Sequence, residues 1–419
     1  MATRHTTVSI HLGGRFVSAG VLEMDCVPGH VRSAAFRYHE SYAARPDAVP
    51  VDPLRLPLRD GAGNTVLEGS VAEGGDLVGT IRDALPDGFG RSVLAFAAGV
   101  EEVDEFDCLV SAGPFGAGAL AFGDPGDRRG LPVPLGVGEA LAGYDAFVQG
   151  DRDSPEFRRF VPSAASLGGA RPKAAVVHEG REWLAKFPKP DDTFEAIRVE
   201  AGVMRLAAGA GFDVPRTRVV EVDGRPVFLI ERFDRIRRRG GETARVPFMS
   251  AMSATGQTEL GARYGSYEDI AEACRRMGAP ETDLADLFLR AAFNVMVGND
   301  DDHLRNHGLL GEPVAPGWRL SPLYDVAPRP QASSVRKLAI YMCSGDADRA
   351  SDLGQVVASA PAFGLGADEG AAMVEDLRSY VAANWEASLA GVGLSRDGIE
   401  GIAPCFAKVV PEGAPRPGW

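Results

Sequence analysis

Three consecutive aspartates follow an apolar segment in the second half of the chain. Residues 293–310 read FNVMVGNDDDHLRNHGLL, with Asp300, Asp301 and Asp302 side by side. Adjacent carboxylates repel one another, so three of them in one turn are unfavourable unless they have a further role. Binding a cation and accepting a proton are roles that such groups can perform. This segment is therefore the first candidate for chemistry.

The spacing of Asp301 and Asn306 makes that chemistry more specific. Kinases use the pattern D-x-x-x-x-N to set a proton-accepting aspartate near the acceptor hydroxyl and an amide oxygen on Mg²⁺. Asp325 lies at the end of the strand-like segment 320–326, LSPLYDV, where the metal-binding aspartate of a kinase would stand. The three residues predict a general base, Asp301, and two Mg²⁺ ligands, Asn306 and Asp325. His303 is a further candidate, and we expect it to hold the loop by hydrogen bonding rather than to transfer a proton.

An ammonium group at the end of a predicted strand has a potential partner on the next helix. Two strand-like segments, 176–178 and 182–187, flank a short polar turn, which predicts a hairpin that ends near Lys186. Glu200 follows on the inner, apolar face of a predicted helix, where an unpaired carboxylate would be costly. We therefore predict a Lys186–Glu200 ion pair, which in kinases orients the lysine onto the α- and β-phosphates of ATP.

The elements around these residues follow the order hairpin, helix, hairpin. A helix is predicted from Phe194 to Gly209, since apolar residues recur at helical spacing and glycines follow. Two further strands, 214–222 and 225–233, meet at Asp223-Gly224, a strong hairpin signal. Beyond residue 240 helical segments dominate, whereas the first 130 residues hold short β-like segments broken by Gly and Pro.

These elements predict an α+β, protein-kinase-like fold of two lobes with ATP between them. We expect a β-rich N-terminal domain over residues 1–145, an ATP-binding small lobe over 146–236, and a mainly helical lobe over 237–419. A chain of 419 residues is long enough for two or three such units. The Gly- and Pro-rich segment 124–138 indicates where the first border lies.

The order of the motifs resembles the HipA family of serine/threonine kinases, the toxins of type II toxin–antitoxin systems, over most of the chain. The matching segments are SLGGARPK (166–173), LAKFP (184–188), ERFDR (231–235), GNDDDHLRN (298–306) and LYDV (323–326). They look like that family's phosphate loop, ATP lysine, hinge, catalytic loop and metal-binding aspartate. Segments 36–58 and 82–94 are similar to the family's N-terminal domain.

The resemblance implies roles for residues that spacing alone does not single out. Ser166 corresponds to the serine that HipA kinases autophosphorylate to shut themselves down. Glu231 and Phe233 belong to the segment that receives the adenine. Asp300 departs from the family, which usually has a small polar residue there, and it adds negative charge beside the base. The candidate phosphate contacts of the loop are Gly168, Gly169, Ala170 and Lys173.

We therefore expect a serine/threonine-protein kinase that uses ATP and Mg²⁺ to phosphorylate a protein hydroxyl. The resemblance implies a translation component as the substrate, such as an aminoacyl-tRNA synthetase, and a helix-turn-helix antitoxin as a partner. One alternative is a small-molecule or lipid phosphotransferase, which would share the two-lobed layout. Another is a non-catalytic subunit that holds an antitoxin, although such a scaffold has no need of an intact set of catalytic residues.

Composition restricts the partners further. The net charge of −14 argues against independent binding to the nucleic-acid backbone, so a role on DNA would need the antitoxin. The five cysteines form no C-x-x-C pair and no run of 18 apolar residues occurs, so we expect a cytoplasmic protein with reduced thiols and no membrane segment. One dense basic run is expected to be a solvated loop, with a docking patch for an acidic substrate as the alternative. It consists of Arg235, Arg237, Arg238 and Arg239.

Overall fold

A mixed α+β architecture, β-rich near the N-terminus and helical toward the C-terminus, confirms the predicted fold class. The computed structural model describes residues 3–123, 135–165, 168–238, 243–311, 317–330 and 336–409. The strands are β1 (Arg4–Leu12), β2 (Arg15–Val27), β3 (His30–Tyr38), β4 (Glu68–Ser70), β5 (Ala72–Glu73), β6 (Asp76–Leu77), β7 (Leu120–Phe122), β8 (Lys173–His178), β9 (Arg181–Lys186), β10 (Thr217–Val222), β11 (Arg225–Glu231), β12 (Arg235–Arg237), β13 (Thr243–Arg245), β14 (Phe248–Ser250), β15 (Gly308–Gly311) and β16 (Trp318–Leu320). The helices are α1 (Glu40–Ala43), α2 (Gly79–Asp83), α3 (Gly88–Ala98), α4 (Glu105–Ala112), α5 (Val137–Gln149), α6 (Pro155–Ala164), α7 (Ala196–Gly209), α8 (Ala251–Ala254), α9 (Tyr267–Arg276), α10 (Glu281–Val297), α11 (Leu353–Ala358), α12 (Ala367–Ala390) and α13 (Arg396–Ile402).

The N-terminal region, residues 3–123, is built on an antiparallel sheet of five strands in the order β4-β3-β2-β1-β7. Side chains alternate between the two faces of a strand, and the inner-face residues of this sheet are buried against α2 and α4. Among them are Val8, Leu22 and Phe36, none of which is exposed to solvent. The sheet therefore supplies a core of its own to the N-terminal region.

The small lobe combines a four-stranded sheet, in the order β10-β11-β9-β8, with helix α7. Both predicted hairpins are confirmed, and each turns through two residues of positive φ: Glu179-Gly180 at 49° and 69°, and Asp223-Gly224 at 50° and 72°. This conformation matches the right-handed twist of the paired strands. The helix predicted from residue 194 begins at Ala196.

The helical lobe packs around α10, in which 12 of 17 residues are buried. Helix α10 ends at Val297, and the next residue, Gly298, adopts the left-handed conformation with φ of 67°. A Cβ at this position would lie 2.8 Å from the backbone oxygen of Cys405, so glycine is needed for both the turn and the close approach. The turn directs the following segment, 299–306, toward the small lobe.

Buried charges join the small lobe to the N-terminal region. Arg232 donates to the carbonyls of Phe115 and Gly116 at 2.5 and 2.9 Å, and to the carboxylate of Asp234. Asp234 also accepts from the backbone of Gly118 at 2.7 Å. Burial opposes ionisation of Asp234, but Arg232 and Arg235 outweigh it and hold its pKa well below the usual range. The motif at 231–235 is therefore a structural junction as well as part of the small lobe.

The basic run near residue 235 is not the single solvated loop that the sequence predicts. The side chain of Arg235 is only 3% exposed and bonds Asp234 and Glu182. Arg237 and Arg238 are exposed, and Arg239 lies outside the described residues. Burial of Arg235 leaves a smaller basic surface there than the sequence indicates.

Two further features bear on the predicted organisation. The border drawn at residues 145 and 146 falls inside helix α5, which packs with β8 and β9 in one apolar cluster. Among the helices of the described residues, none is both long enough and apolar enough to cross a membrane.

Candidate functional site

A cavity of about 520 Å³ opens between the two lobes and the edge of the N-terminal region. Ser166, the predicted autophosphorylation site, lies outside the described residues. The cavity brings together every other residue that the sequence predicts for the site. These are Gly168, Gly169, Ala170, Lys173, Lys186, Glu200, Glu231, Phe233, Asp301, His303, Asn306 and Asp325.

A buried lysine with two carboxylates lies at the centre of the cavity. Lys186 Nζ donates to Glu200 Oε1 at 2.5 Å and also to Asp325 Oδ1. The side chains of Lys186 and Glu200 are each 2% exposed. Burial opposes the charge of Lys186, but Asp325 and Glu200 outweigh it and raise its pKa. The lysine therefore stays protonated, and both carboxylates fix the direction in which it points.

Asp325 has an unusual backbone conformation. Its φ is 59°, in the left-handed region that residues other than glycine rarely adopt. Backbone strain of this kind persists only where the surroundings enforce it, and it is concentrated at functional sites. Burial opposes ionisation of Asp325, but Lys186 and Lys173 outweigh it and hold its pKa below the usual range. The carboxylate is therefore charged and available to a cation.

The candidate catalytic loop, residues 299–306, is shaped by amide side chains. Asn299 bonds Asn294 on α10 at 3.0 Å, and its Oδ1 accepts from the N–H of Asp301 at 3.4 Å. Asn306 Nδ2 donates to the backbone oxygen of Asp301 at 2.7 Å. This leaves Asn306 Oδ1, the atom that would bind a metal, without a hydrogen bond to any described residue.

Asp301 is the one of the three aspartates that faces the cavity. Its side chain is 43% exposed, and Oδ2 accepts from Arg329 Nη2 at 2.5 Å. Both partners are solvent-exposed, so this ion pair is weak and can exchange for another contact. Asp301 is therefore placed to meet a hydroxyl that enters from solvent.

Asp300 and Asp302 do not share this role, which corrects the expectation of a common cation-binding or proton-accepting function. Asp300 forms an ion pair with Arg336 at 3.7 Å, so the extra negative charge beside Asp301 has a cationic partner. Asp302 is fully buried and accepts from Tyr267 Oη and from the N–H of Ala339, both at 2.7 Å. Asp302 therefore holds the loop against the helical lobe.

We predict that Asp302 makes stability depend on pH. Burial raises the pKa of Asp302 to about 6, above its value in an unfolded chain. The stability that its proton provides is complete at low pH and is lost as pH rises through about 6. Asp302→Asn lacks this loss, so the unfolding free energy of the wild type should fall by about 2 kcal/mol relative to the variant between about pH 4.5 and pH 7.5. Urea unfolding at several pH values measures this, and a difference that stays constant with pH would contradict the assignment.

His303 departs from its predicted role. It lines the cavity, but its imidazole makes no hydrogen bond within the described parts of the chain. Its backbone oxygen instead accepts from the N–H of Asn306 at 2.8 Å. The loop is thus held by the main chain of His303, and the side chain stays exposed at the mouth of the cavity.

The glycine loop, residues 168–173, covers the other side of Lys186. Lys173 pairs with Lys186 across β8 and β9, and its side chain also faces the cavity. The residue is 5% exposed, and its ammonium makes no hydrogen bond or ion pair with a described residue. Burial, and then Lys186, lower its pKa. A buried ammonium without an acceptor favours an anionic ligand.

The opposite end of the cavity is formed by the end of β11 and by aromatic side chains. Glu231 accepts from Arg181 Nη1 at 2.6 Å, which fixes its side chain beside the sheet. The ring of Phe233 lies 5.5 Å from that of Tyr324 and 6.2 Å from that of Phe248. This end therefore offers aromatic, largely apolar side chains against which a nucleotide base can pack.

Several residues of the N-terminal region also line the cavity, and the sequence gives no separate signal for their role. Asp83 accepts from Ser250 Oγ at 2.6 Å and from Ser253 Oγ at 2.7 Å, which docks α2 against the helical lobe. The carboxylate of Asp87 accepts a hydrogen bond from the backbone N–H of Gly169 in the glycine loop. Segment 82–94 is singled out in the sequence only by its family resemblance, because these contacts join residues far apart along the chain.

Comparison with known proteins gives matches over both parts of the chain. The model of the HipA-like C-terminal domain matches residues 165–385, and that of the HipA N-terminal domain matches residues 10–123. A Sinorhizobium fredii protein named "Putative kinase Y4mE" is 30% identical over 272 residues, which cover 58% of this chain and 62% of that protein. A Haemophilus influenzae protein named "Putative kinase" is 27% identical over 262 residues, which cover 53% of this chain and 75% of that protein.

A solved structure extends the likeness to nearly the whole chain. The sequence match to the Sinorhizobium fredii protein, in contrast, covers less than two thirds of that protein's length. The solved structure is HipA of the Shewanella oneidensis MR-1 toxin–antitoxin system, solved with HipB and operator DNA. The match covers 96% of each chain, with a TM-score of 0.66 and 19% sequence identity. At 19% sequence identity, this similarity shows that the two proteins share a fold.

Proposed function

The chain belongs to the HipA family, and on that premise we propose that it is an ATP- and Mg²⁺-dependent serine/threonine-protein kinase. One observation carries the proposal: Lys186 is held by the buried carboxylate of Glu200 in a cavity that also contains Asp301, Asn306 and Asp325. A purely structural ion pair would not require a base and two further oxygen ligands at the same cavity. This set matches the parts that phosphoryl transfer needs.

ATP would occupy the cavity with its base near Phe233 and its phosphates near Lys186 and Lys173. The two ammonium groups would neutralise phosphate oxygens, and the ammonium of Lys173, which has no partner among the described residues, favours an anion there. Asp325 is ionised and Asn306 Oδ1 has no partner among the described residues, so both fit a hard cation such as Mg²⁺. Bound Mg²⁺ would neutralise charge that develops on the phosphates.

The acceptor would be a serine or threonine hydroxyl at the mouth of the cavity. Its oxygen forms a bond to the γ-phosphorus while the bond from that phosphorus to the oxygen bridging the β- and γ-phosphates breaks. Asp301 accepts the proton of the hydroxyl, for which its carboxylate must leave Arg329. The exposure of this ion pair makes that exchange inexpensive.

The finer assignments follow the family. We propose that Ser166 is autophosphorylated, that the protein substrate is a translation component such as an aminoacyl-tRNA synthetase, and that a helix-turn-helix antitoxin is the partner. The Shewanella oneidensis relative was solved with HipB and operator DNA, which supports a partner of this kind. With a net charge of −14, this chain would rely on that partner for DNA contact.

We predict that the purified protein transfers the γ-phosphate of ATP to protein serine or threonine only when Mg²⁺ is present. The measurement is transfer of radiolabelled phosphate to lysate proteins and to the protein itself, with and without a chelator, followed by phosphopeptide mapping of Ser166. Label that appears only in small molecules or lipids would favour the alternative phosphotransferase. Absence of ATP binding and of transfer would contradict the proposed function.

A further inference from the structure

The glycine loop is bonded to the N-terminal region through both backbone groups of Gly169. The N–H of Gly169 donates to Asp87 Oδ2 at 2.8 Å, and its oxygen accepts from the N–H of Phe89 at 3.4 Å. Gly168 lies against the same carboxylate, since a Cβ there would be 2.9 Å from Asp87 Oδ2. Residues 87–89 thus fix the position of the loop from outside the small lobe.

The capping geometry of helix α3 shows that Asp87 does not serve its own helix. Asp87 occupies the N-cap position, where an aspartate normally accepts from an N–H of the first turn, yet its side chain makes no such bond. Asp104, the N-cap of α4 in the same region, does accept from the N–H of Asp107. Asp87 therefore forgoes a contact that would stabilise α3 and bonds Gly169 instead.

The position of Gly169 determines where Lys173 can lie. Gly169 has φ of 99°, and a Cβ there would overlap Lys173 Nζ. The ammonium of Lys173 therefore passes across the bare backbone of Gly169 into the cavity. A loop with two adjacent glycines loses much conformational entropy when it becomes ordered, so fixing it before a ligand arrives strengthens binding.

We propose that Asp87 is a positioning residue of the nucleotide site, which makes nucleotide affinity a property of the N-terminal region as well as of the two lobes. The inference rests on the proposed function of the cavity. Because the N–H of Gly169 is bonded to Asp87, the phosphates are met by Lys173 and by the other amides of the loop. Loss of the Asp87 carboxylate frees the loop and removes this arrangement.

The test compares Asp87→Ala with the wild type in the full-length protein. A hydrogen bond to a charged group contributes enough that KM and Kd for ATP should rise about tenfold or more. Turnover at saturating ATP should change by less than about twofold, since Asp87 does not touch the reacting atoms. Asp87→Asn keeps an acceptor oxygen, so this variant should retain most of the wild-type affinity for ATP. Asp104→Ala is the matched control, because it removes an N-cap of the same region and should leave KM for ATP unchanged.

Amide hydrogen exchange without nucleotide measures the contact independently of catalysis. The peptide that contains Gly169 should exchange faster in Asp87→Ala than in the wild type or in Asp104→Ala. Unchanged exchange, or an unchanged KM for ATP beside faster exchange, would overturn the inference while leaving the kinase assignment intact. A wild type that binds no ATP would overturn both, and this outcome distinguishes failure of the proposed function.

Discussion

Asp301→Asn should lower the rate of phosphoryl transfer by about 10² to 10⁴-fold, the contribution typical of a general base. The amide has the same shape as the carboxylate but cannot accept the proton of the attacking hydroxyl. Asp301 faces the cavity and reaches solvent, so the substitution leaves the buried core untouched. KM for ATP should change little, because Asp301 takes no part in holding the nucleotide.

Asp300→Asn is the matched control for this experiment. It removes an adjacent carboxylate that pairs with Arg336 and does not line the cavity. The initial rate of phosphate transfer, measured for the three proteins at saturating ATP, separates the two positions. If Asp301→Asn retains most of the wild-type rate, or if both variants lose activity equally, Asp301 is not the base.

Lys186→Met should lower the rate by about 10² to 10³-fold, the usual loss when a preorganised cationic or hydrogen-bond donor is removed from a transferring group. It should also lower the free energy of unfolding by about 3 to 5 kcal/mol, because the buried carboxylate of Glu200 then lacks its cation. Asp325 would lose the same partner. Initial rates and urea unfolding measure the two effects separately.

The double variant Lys186→Met/Glu200→Gln distinguishes a catalytic lysine from a structural one. Replacing Glu200 removes the unpaired buried charge, so most of the lost stability should return while activity stays low. Recovery of activity together with stability would show that the lysine acts only by stabilising the small lobe. Lys189→Met, outside the cavity lining, serves as the control for loss of a lysine near the same segment.

Local signals in the sequence were sufficient for the two hairpins of the small lobe and for the helix between them. Glu179-Gly180 and Asp223-Gly224 specify two-residue turns because their backbones adopt positive φ at low cost, and each turn fixes the register of its hairpin. The pairing of Lys186 with Glu200 was also predictable, because the apolar neighbours of both residues indicated burial, and a buried charge requires a partner. The cavity also brought the separate motifs together as their order predicted.

The positions of the charged side chains in the aspartate run and in the basic run depended on the tertiary structure. The spacing to Asn306 predicted Asp301 as the aspartate of the site, and Asp301 does line the cavity. It gave no role to its two neighbours, whereas packing placed Asp302 in the helical lobe and Asp300 beside Arg336. Likewise, the sequence places Arg235 in a basic run that is typical of a solvated loop, whereas in the structure its side chain is buried beside Asp234.

The sequence alone determined the local structure of this protein and the chemical types of the side chains at the site. Only the tertiary structure decided that Asp302 packs into the helical lobe, that Asp300 pairs with Arg336, and that Asp87 of the N-terminal region bonds the glycine loop at Gly169. The reason is physical: turn and helix preferences arise from neighbouring residues, whereas a contact between distant residues depends on how whole elements pack against one another.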